Sequence, residues 1–424
     1  MTTRVRTLFV AAVLLATMCL VGCDHYTCSA TFGNSSCTAS GSGLGTTGGG
    51  GNTSSAFVYA VDEGTSGSTN GTIDGYAFDS TTLAFGPITS YTAPTVPINN
   101  GGVGMVVAQG INLYAGFGTV QQLYGWVISS SGSLTAIPGS PFAVPALDGF
   151  ISGVGQANMI TNPAGTLLFI SDAGSESIYV YSIGTGGVIA PVGSVACPAG
   201  FTPMNLATDG LGKYLYAIDG TYDSHQGSQI AAFSIGSGSS LGALTPVTGS
   251  PFVFPMWQLK GEPTGKFLIG TTGTTAAYNG HDDDNLYVFS IGTSGALTQV
   301  AKQSTVYTPF SIAMPSNTSG ELVYSFGFND TATGFNPVEG YAISSSGTLT
   351  AVSGSPFSLG EGSWGQFDQS GALLFSYASF LNTSTNTIVT QLSPLSVGSG
   401  GVLTQPASTL TLVTPGFWAV ADTP

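Results

Sequence analysis

The chain repeats itself. A short apolar strand pattern recurs with a large residue at Tyr59, Tyr114, Phe169, Tyr216, Ile269, Tyr324 and Phe375, at intervals of 47–55 residues. A period of that size marks an architecture of like units that bury their apolar faces only against one another. Each landmark is followed by a second alternating run, such as Ile178–Ile183, Ile230–Ile235 and Leu286–Ile291. A turn and a third run come next: SGSLTAIPGSPF (131–142), LGALTPVTGSPF (241–252) and SGTLTAVSGSPF (346–357). A fourth short run precedes the next landmark, as Asn205–Thr208 precedes Tyr216. Four strands per unit and seven units predict an all-β chain, a seven-bladed β-propeller of four-stranded blades over residues 56–424.

The ends of the repeat predict how the ring closes. The first unit opens directly on AFVYAVDEG and lacks an innermost strand, whereas the chain ends on PGFWAVADTP, which reads as an innermost strand with nothing after it. The last strand is therefore expected to complete the first blade and to remove the open edges of a linear array. In each GSPF segment a turn residue and a fixed-φ proline deliver a large apolar anchor. Phe142, Phe252 and Phe357 are thus expected to pack between blades.

Before residue 56 the chain has a different character. Arg4 and Arg6 precede an apolar stretch, Leu8–Leu20, too short for a comfortable membrane span but of the length of a signal-peptide core. It ends in Leu20-Val21-Gly22-Cys23, which resembles the bacterial lipobox. Residues 1–22 are read as a signal peptide, Cys23 as the lipid attachment site, and 23–55 as a Gly/Ser/Thr-rich tether. The location expected is the bacterial cell envelope, lipid-anchored and facing the periplasm or the exterior, with the membrane met through the lipid alone. In an oxidising compartment Cys28 and Cys37 are candidates for a disulfide, and Cys197 is left as a buried small hydrophobe.

Charge then narrows the function. Of 424 residues only 6 are Lys or Arg, against 21 Asp or Glu, for a net charge of −15. Such a chain has little with which to neutralise phosphates, so nucleic-acid binding is excluded. Once Arg4 and Arg6 are assigned to export, the basic residues are Lys213, Lys260, Lys266 and Lys302. So few ion pairs also predict a stability that depends weakly on pH.

Thr208-Asp209-Gly210 followed by Lys213-Tyr214-Leu215-Tyr216-Ala217 resembles the hairpin of lactonase-type and YVTN-like seven-bladed propellers, and the repeated SG-x-LT-x-V segment is similar to the same group. The resemblance spans nearly all of 56–424. It implies a propeller with a polar site on one face near the axis, and lactone hydrolysis among the possible activities. No catalytic motif of the family matches residue by residue. A phosphosugar substrate calls for Arg or several Lys, and here only Lys260, on an innermost strand, lies where it can approach the axis.

In a propeller the loops joining second to third strands share one face. Here they carry ten of the 21 acids, among them Asp62, Asp172, Glu176, Asp219, Asp223, Asp282, Asp283, Asp284 and Asp330, together with His225 and His281. The run His281-Asp282-Asp283-Asp284 offers oxygen ligands of the kind Ca²⁺ takes, although it matches no known calcium loop, and a solvated acidic loop is the plainer reading. Trp257, Trp364 and Trp418 fall at or beside innermost strands, where they either stack on a flat ligand or pack between blades.

The leading expectation is a monomeric, membrane-anchored binding module. It uses the acidic loop face, with Asp219, Asp223, His225, His281 and the three tryptophans, to hold a small molecule, a carbohydrate or a protein. The alternative is a hydrolase of an unphosphorylated sugar lactone, metal-assisted if the loops hold calcium. The lipobox reading has its own test: Cys23→Ala abolishes metabolic labelling of the protein with a fatty acid, and labelling that persists overturns it.

Overall fold

A computed structural model describes residues 56–422 except 63–68, 98–101, 118–120, 145–158, 221–228, 273–283, 317–321, 329–336, 360–363, 383–386, 406–408 and 413–414. Seven antiparallel sheets follow one another along the chain, and no α-helix occurs among the described residues. The fold is the expected seven-bladed propeller. Its innermost strands are Pro415–Asp422 in blade one, then Gly102–Ala108, Met159–Thr161, Pro203–Thr208, Gln258–Gly261, Thr308–Ala313 and Trp364–Phe367 in blades two to seven. Consecutive innermost strands touch all the way round, blade seven to blade one included.

The ring closes between the two ends of the repeat. Ala56–Asp62 pairs antiparallel with Pro415–Asp422, Ala56 opposite Asp422 and Tyr59 opposite Ala419. Without this ladder both blade-one strands would present free edges.

The landmark residues define the interior. All seven lie on the second strand of their blade and are fully buried. Burial is organised by seam: among the described residues each of seven hydrophobic clusters draws its members from two successive blades. Phe142, Phe252 and Phe357 join the clusters between blades two and three, four and five, and six and seven, as expected.

Four seams carry a tyrosine–glycine bond as well. The hydroxyls of Tyr59, Tyr114, Tyr216 and Tyr324 donate to the carbonyls of Gly132, Gly187, Gly295 and Gly401 in the next blade, at 2.7, 2.5, 3.1 and 2.7 Å. Two physical demands make these positions glycine. Gly132 sits at φ 83°, where an L side chain is strained, and a Cβ there would lie 2.5 Å from the Phe57 ring. The remaining landmarks, Phe169, Ile269 and Phe375, have no hydroxyl to donate.

The GSPF segments depart from the simple strand read from the sequence. Each outer strand is split by a turn. In blade two, Leu134–Ala136 and Phe142–Ala143 both pair with Gln122–Ile128. Gly139, Gly249 and Gly354 take positive φ, and the Ser140-Pro141, Ser250-Pro251 and Ser355-Pro356 peptides are cis. The serine has a definite task. Ser140, Ser250 and Ser355 accept hydrogen bonds from the backbone N–H of Gly125, Ala232 and Gly340 at 2.9, 2.8 and 3.0 Å. The side chain thereby supplies the ladder bond that the split removes.

The two halves of the tyrosine–glycine bond have different expected costs. Tyr59→Phe removes one hydrogen bond and costs about 1 kcal/mol. Gly132→Ala adds strained backbone and a clash with Phe57, and costs about 2–4 kcal/mol. Chemical denaturation of the two variants checks the order; equal losses would contradict it.

Candidate functional site

The two ends of the axial channel are built differently. At one end the turns joining first to second strands interlock. Buried polar side chains cap them: Asn162 Oδ1 accepts from the N–H groups of Thr166 and Leu167, and Asp209 Oδ1 from Lys213 and Tyr214 at 2.6 and 2.7 Å. Glu262 and Asp368 do the same in blades five and seven. Asp209, the acid of the family-like hairpin, is therefore a structural cap. Glycines let these turns touch across seams: a Cβ on Gly210 would run into the carbonyls of Glu262 and Pro263, and one on Gly265 into Leu211.

The opposite end carries the loops and the aromatic residues. Trp257 stacks on Phe310 (centroids 5.5 Å, interplanar 28°), and Phe310 meets Trp364 edge-on at 4.5 Å. Tyr377, the cross-strand partner of Trp364, stacks on Trp418 at 6.0 Å and 14°. These residues stand at the innermost strands of blades five, six, seven and one, with Tyr377 behind. They form an aromatic wall over more than half of the ring. Trp364 is buried in the seam between blades seven and one, while Trp257, Phe310 and Trp418 are half-buried. Trp364 thus packs between blades, while Trp257 and Trp418 keep part of their rings accessible. Phe310 is a member that a search for tryptophan misses.

β-Bulges shape this end. Pairing of innermost to second strands shifts register toward the loop face in blades one, two, four and six. Phe310 occupies the bulge of blade six, and Met204 and Asn205 that of blade four. Bulges re-aim side chains and gather beside functional sites.

A carboxylate pair lies next to the wall. Ala60 is opposite Trp418 on one side and opposite Asp74 on the other, and Asp62 is opposite Thr72. Cross-strand partners and residues two apart share a sheet face. Trp418, Asp62 and Asp74 therefore stand on one face of blade one, which packs on blade seven. The pKa of Asp74 is raised, chiefly by burial and further by the charge of Asp62, against a hydrogen bond from Thr72 Oγ1 (3.0 Å) that lowers it. Asp62 belongs to the acids of the loop face; Asp74 sits inside a strand, where reading loops for acids overlooks it.

The other described acids of this face are held by neighbouring chain. Asp172 accepts from Gly174 N–H and Ser175 Oγ, Asp219 from Thr202 N–H at 2.9 Å, and Glu176 from Gly200 N–H. Asp284 accepts from Thr308 Oγ1 at 2.7 Å. Among the described residues no three His, Cys, Asp or Glu side chains group as a metal site. Glu63, Asp223, His225, His281, Asp282, Asp283 and Asp330 lie outside the described residues, as do Cys23, Cys28 and Cys37. Cys197 is buried and unbridged; burial first, then the charges of Asp219 and Glu176, push its thiol pKa up to about 12, so it is inert at neutral pH.

No protein-family model and no curated protein matches the chain. Solved structures do match in fold. The Pseudomonas aeruginosa periplasmic gluconolactonase superposes with a TM-score of 0.59 at 16% identity, over 87% of this chain and 100% of that one. A candidate 6-phosphogluconolactonase from Bacteroides fragilis gives 0.57 at 17%, over 88% and 100%. One from Bacteroides uniformis gives 0.58 at 16%, over 87% and 100%. At these identities the likeness is one of fold.

The shifted acids carry a pH signature. Asp74 and Asp209 both titrate above the ordinary carboxylate value, each chiefly through burial. The folded state therefore holds these protons more tightly than the unfolded chain. Their stabilisation is complete below the unfolded value of about 3.9 and is lost as pH rises through the raised folded values. Calorimetry is expected to show a Tm that holds or rises as pH falls from about 7 to about 4, aided by relief of self-repulsion in a chain this acidic. A steep fall of Tm over that range would contradict it.

Proposed function

We propose that this protein is an exported, membrane-anchored hydrolase of an unphosphorylated sugar lactone, working at the loop-face mouth of its axial channel. The observation that carries the reading is the placement of Asp74, beside Asp62, on the same sheet face as Trp418. Two carboxylates in unlike environments are what general acid–base chemistry uses, and a raised pKa brings Asp74 toward the working range of a base. The aromatic wall supplies a flat apolar surface for the carbon face of a sugar ring. The shared fold of a periplasmic gluconolactonase supports the same choice. It also favours export, in keeping with the signal peptide, lipobox and tether read at residues 1–55.

In the proposed reaction the lactone rests on the wall, and Asp74 takes a proton from a water that attacks the carbonyl carbon. The tetrahedral intermediate collapses by breaking the ring C–O bond, and the proton returns to the leaving alkoxide to give the hydroxy acid. Burial first, and the charge of Asp62 after it, hold the pKa of Asp74 up. His225 and His281, in the loops of blades four and five, are second candidates for the base, since histidine titrates near neutrality. A phosphorylated lactone is disfavoured because one lysine is all that the innermost strands offer it.

A pure binding role, with calcium in the acidic loops or without it, is the second reading, since the wall serves a bound sugar equally well. Turnover separates the two. The purified protein is expected to hydrolyse glucono-δ-lactone above the spontaneous rate. Asp74→Asn should lower kcat about 100-fold with KM little changed, the usual scale for a lost general base. No turnover across a panel of unphosphorylated lactones, with calcium or after chelation, would leave the binding reading standing.

A further inference from the structure

The seven landmarks pair across the ladder with seven residues of the innermost strands: Ala419, Val106, Ile160, Ala207, Lys260, Ala313 and Gln366. They make one level of the channel wall. Five are small or apolar, and Lys260 is the single ion. Its neighbours on both sides, Ala207 and Ala313, are buried alanines, so the much longer lysine extends past them. The side chain stays open to solvent although protein surrounds it, which is the position of a group inside the channel; burial lowers its pKa.

Among the described residues no other charge acts on Lys260. The strands packed around it, Pro203–Thr208, Thr308–Ala313 and Phe267–Thr271, carry no ionisable side chain. The ionisable groups nearest along these blades are occupied elsewhere: Glu262 and Asp209 cap their own turns, and Glu339 binds Tyr341 Oη and the N–H groups of Val306 and Tyr307. A second unpaired donor lies one residue away. Asn205, 1% exposed, spends its Oδ1 on the N–H of Leu259, the residue before Lys260, and its Nδ2 is buried with no acceptor. A cation enclosed by the channel with no counter-charge among the described residues, one residue from a buried N–H without an acceptor, asks for an anion.

We propose that Lys260 is the seat of a carboxylate subsite in the axial channel, which takes a small hydroxy acid whose body extends toward the aromatic wall. A single lysine matches a monoanion rather than a phosphate dianion. Three residues up the same strand, about 10 Å at the rise of a β-strand, Trp257 begins the wall, so a polyhydroxy acid of about six carbons spans the distance. The interlocked turns narrow the far end, so the ligand enters past the aromatics. The subsite is two seams from the Asp62–Asp74 pair and is separate from the reacting centre. It rests on the lactonase reading only for the identity of the acid, which is that reaction's product class.

Calorimetric titration of the purified protein with sodium gluconate tests this, with sorbitol as the uncharged counterpart and inorganic phosphate as the competing anion. Gluconate is expected to saturate one site, and sorbitol and phosphate to bind more weakly. Lys260→Met should weaken gluconate about tenfold or more, the worth of one charge-assisted contact. Affinity in the wild type should fall as pH rises toward the lysine's lowered pKa, while Lys260→Arg binds throughout, because arginine keeps its proton. Absence of gluconate binding, equal binding by Lys260→Met, or tighter binding of sorbitol or phosphate would overturn the proposal. Lactone turnover measured on the same samples keeps the two readings apart. Turnover without gluconate binding at Lys260 sinks only the subsite, and gluconate binding at Lys260 without turnover sinks only the hydrolase.

Discussion

Everything in this molecule depends on one ladder of backbone hydrogen bonds, that between Ala56–Asp62 and Pro415–Asp422. A blade cannot bury both of its faces alone; each needs a neighbour on either side. In a linear array the first and last blades would each leave a face and an edge in water. Closure through the chain ends turns seven incomplete units into seven equivalent seams, and each seam then holds its own apolar cluster. The channel and its two unlike ends are consequences of that closure. So is the position of Trp418, which belongs to the closing strand and reaches the candidate site only when the ring is shut.

Low charge suits this construction. Propeller faces are covered by other blades, and the exposed strand positions are filled mostly by uncharged residues such as Thr, Ala, Pro and Val. The few charges that are buried are spent with economy: Asp209, Glu262 and Asp368 each cap a turn through backbone N–H groups. Against that pattern, Lys260, which faces no counter-charge among the described residues, and Asp74, with its raised pKa, stand out. Perturbed ionisable groups in a cleft point to function more often than to structure.

The fold was legible because it is periodic. The landmarks from Tyr59 to Phe375 mark the second strands, and the mismatch between the chain's two ends marks the closure, both readable without coordinates. The site was legible in part. Tryptophan at Trp257, Trp364 and Trp418 is rare enough to notice, whereas Phe310 is one phenylalanine among 24. Asp74 was hidden because its meaning lies in register: only the pairing of Ala60 with both Trp418 and Asp74 puts acid and aromatic on one face. Bulges in the innermost strands shift that register without any signature in composition. The acidic loops drew attention by their charge density, yet the described members serve mostly as acceptors for neighbouring turns.

The tyrosine–glycine bonds divide the ring unevenly. They tie blade one to two, two to three, four to five and six to seven; the seams three–four, five–six and seven–one have Phe169, Ile269 and Phe375 in their place. Apolar contact resists separation but tolerates sliding, whereas a hydrogen bond fixes both distance and direction. Two of these seams are tied by other groups: Ser171 Oγ donates to the Met204 carbonyl between blades three and four at 3.1 Å, and the Ile312 N–H donates to Gln258 Oε1 between blades five and six at 2.6 Å. Lys260 and the Asp62–Asp74 pair both lie at seams whose landmark has no hydroxyl, so the two proposed sites stand where the second strand has no side-chain bond of its own to offer the next blade.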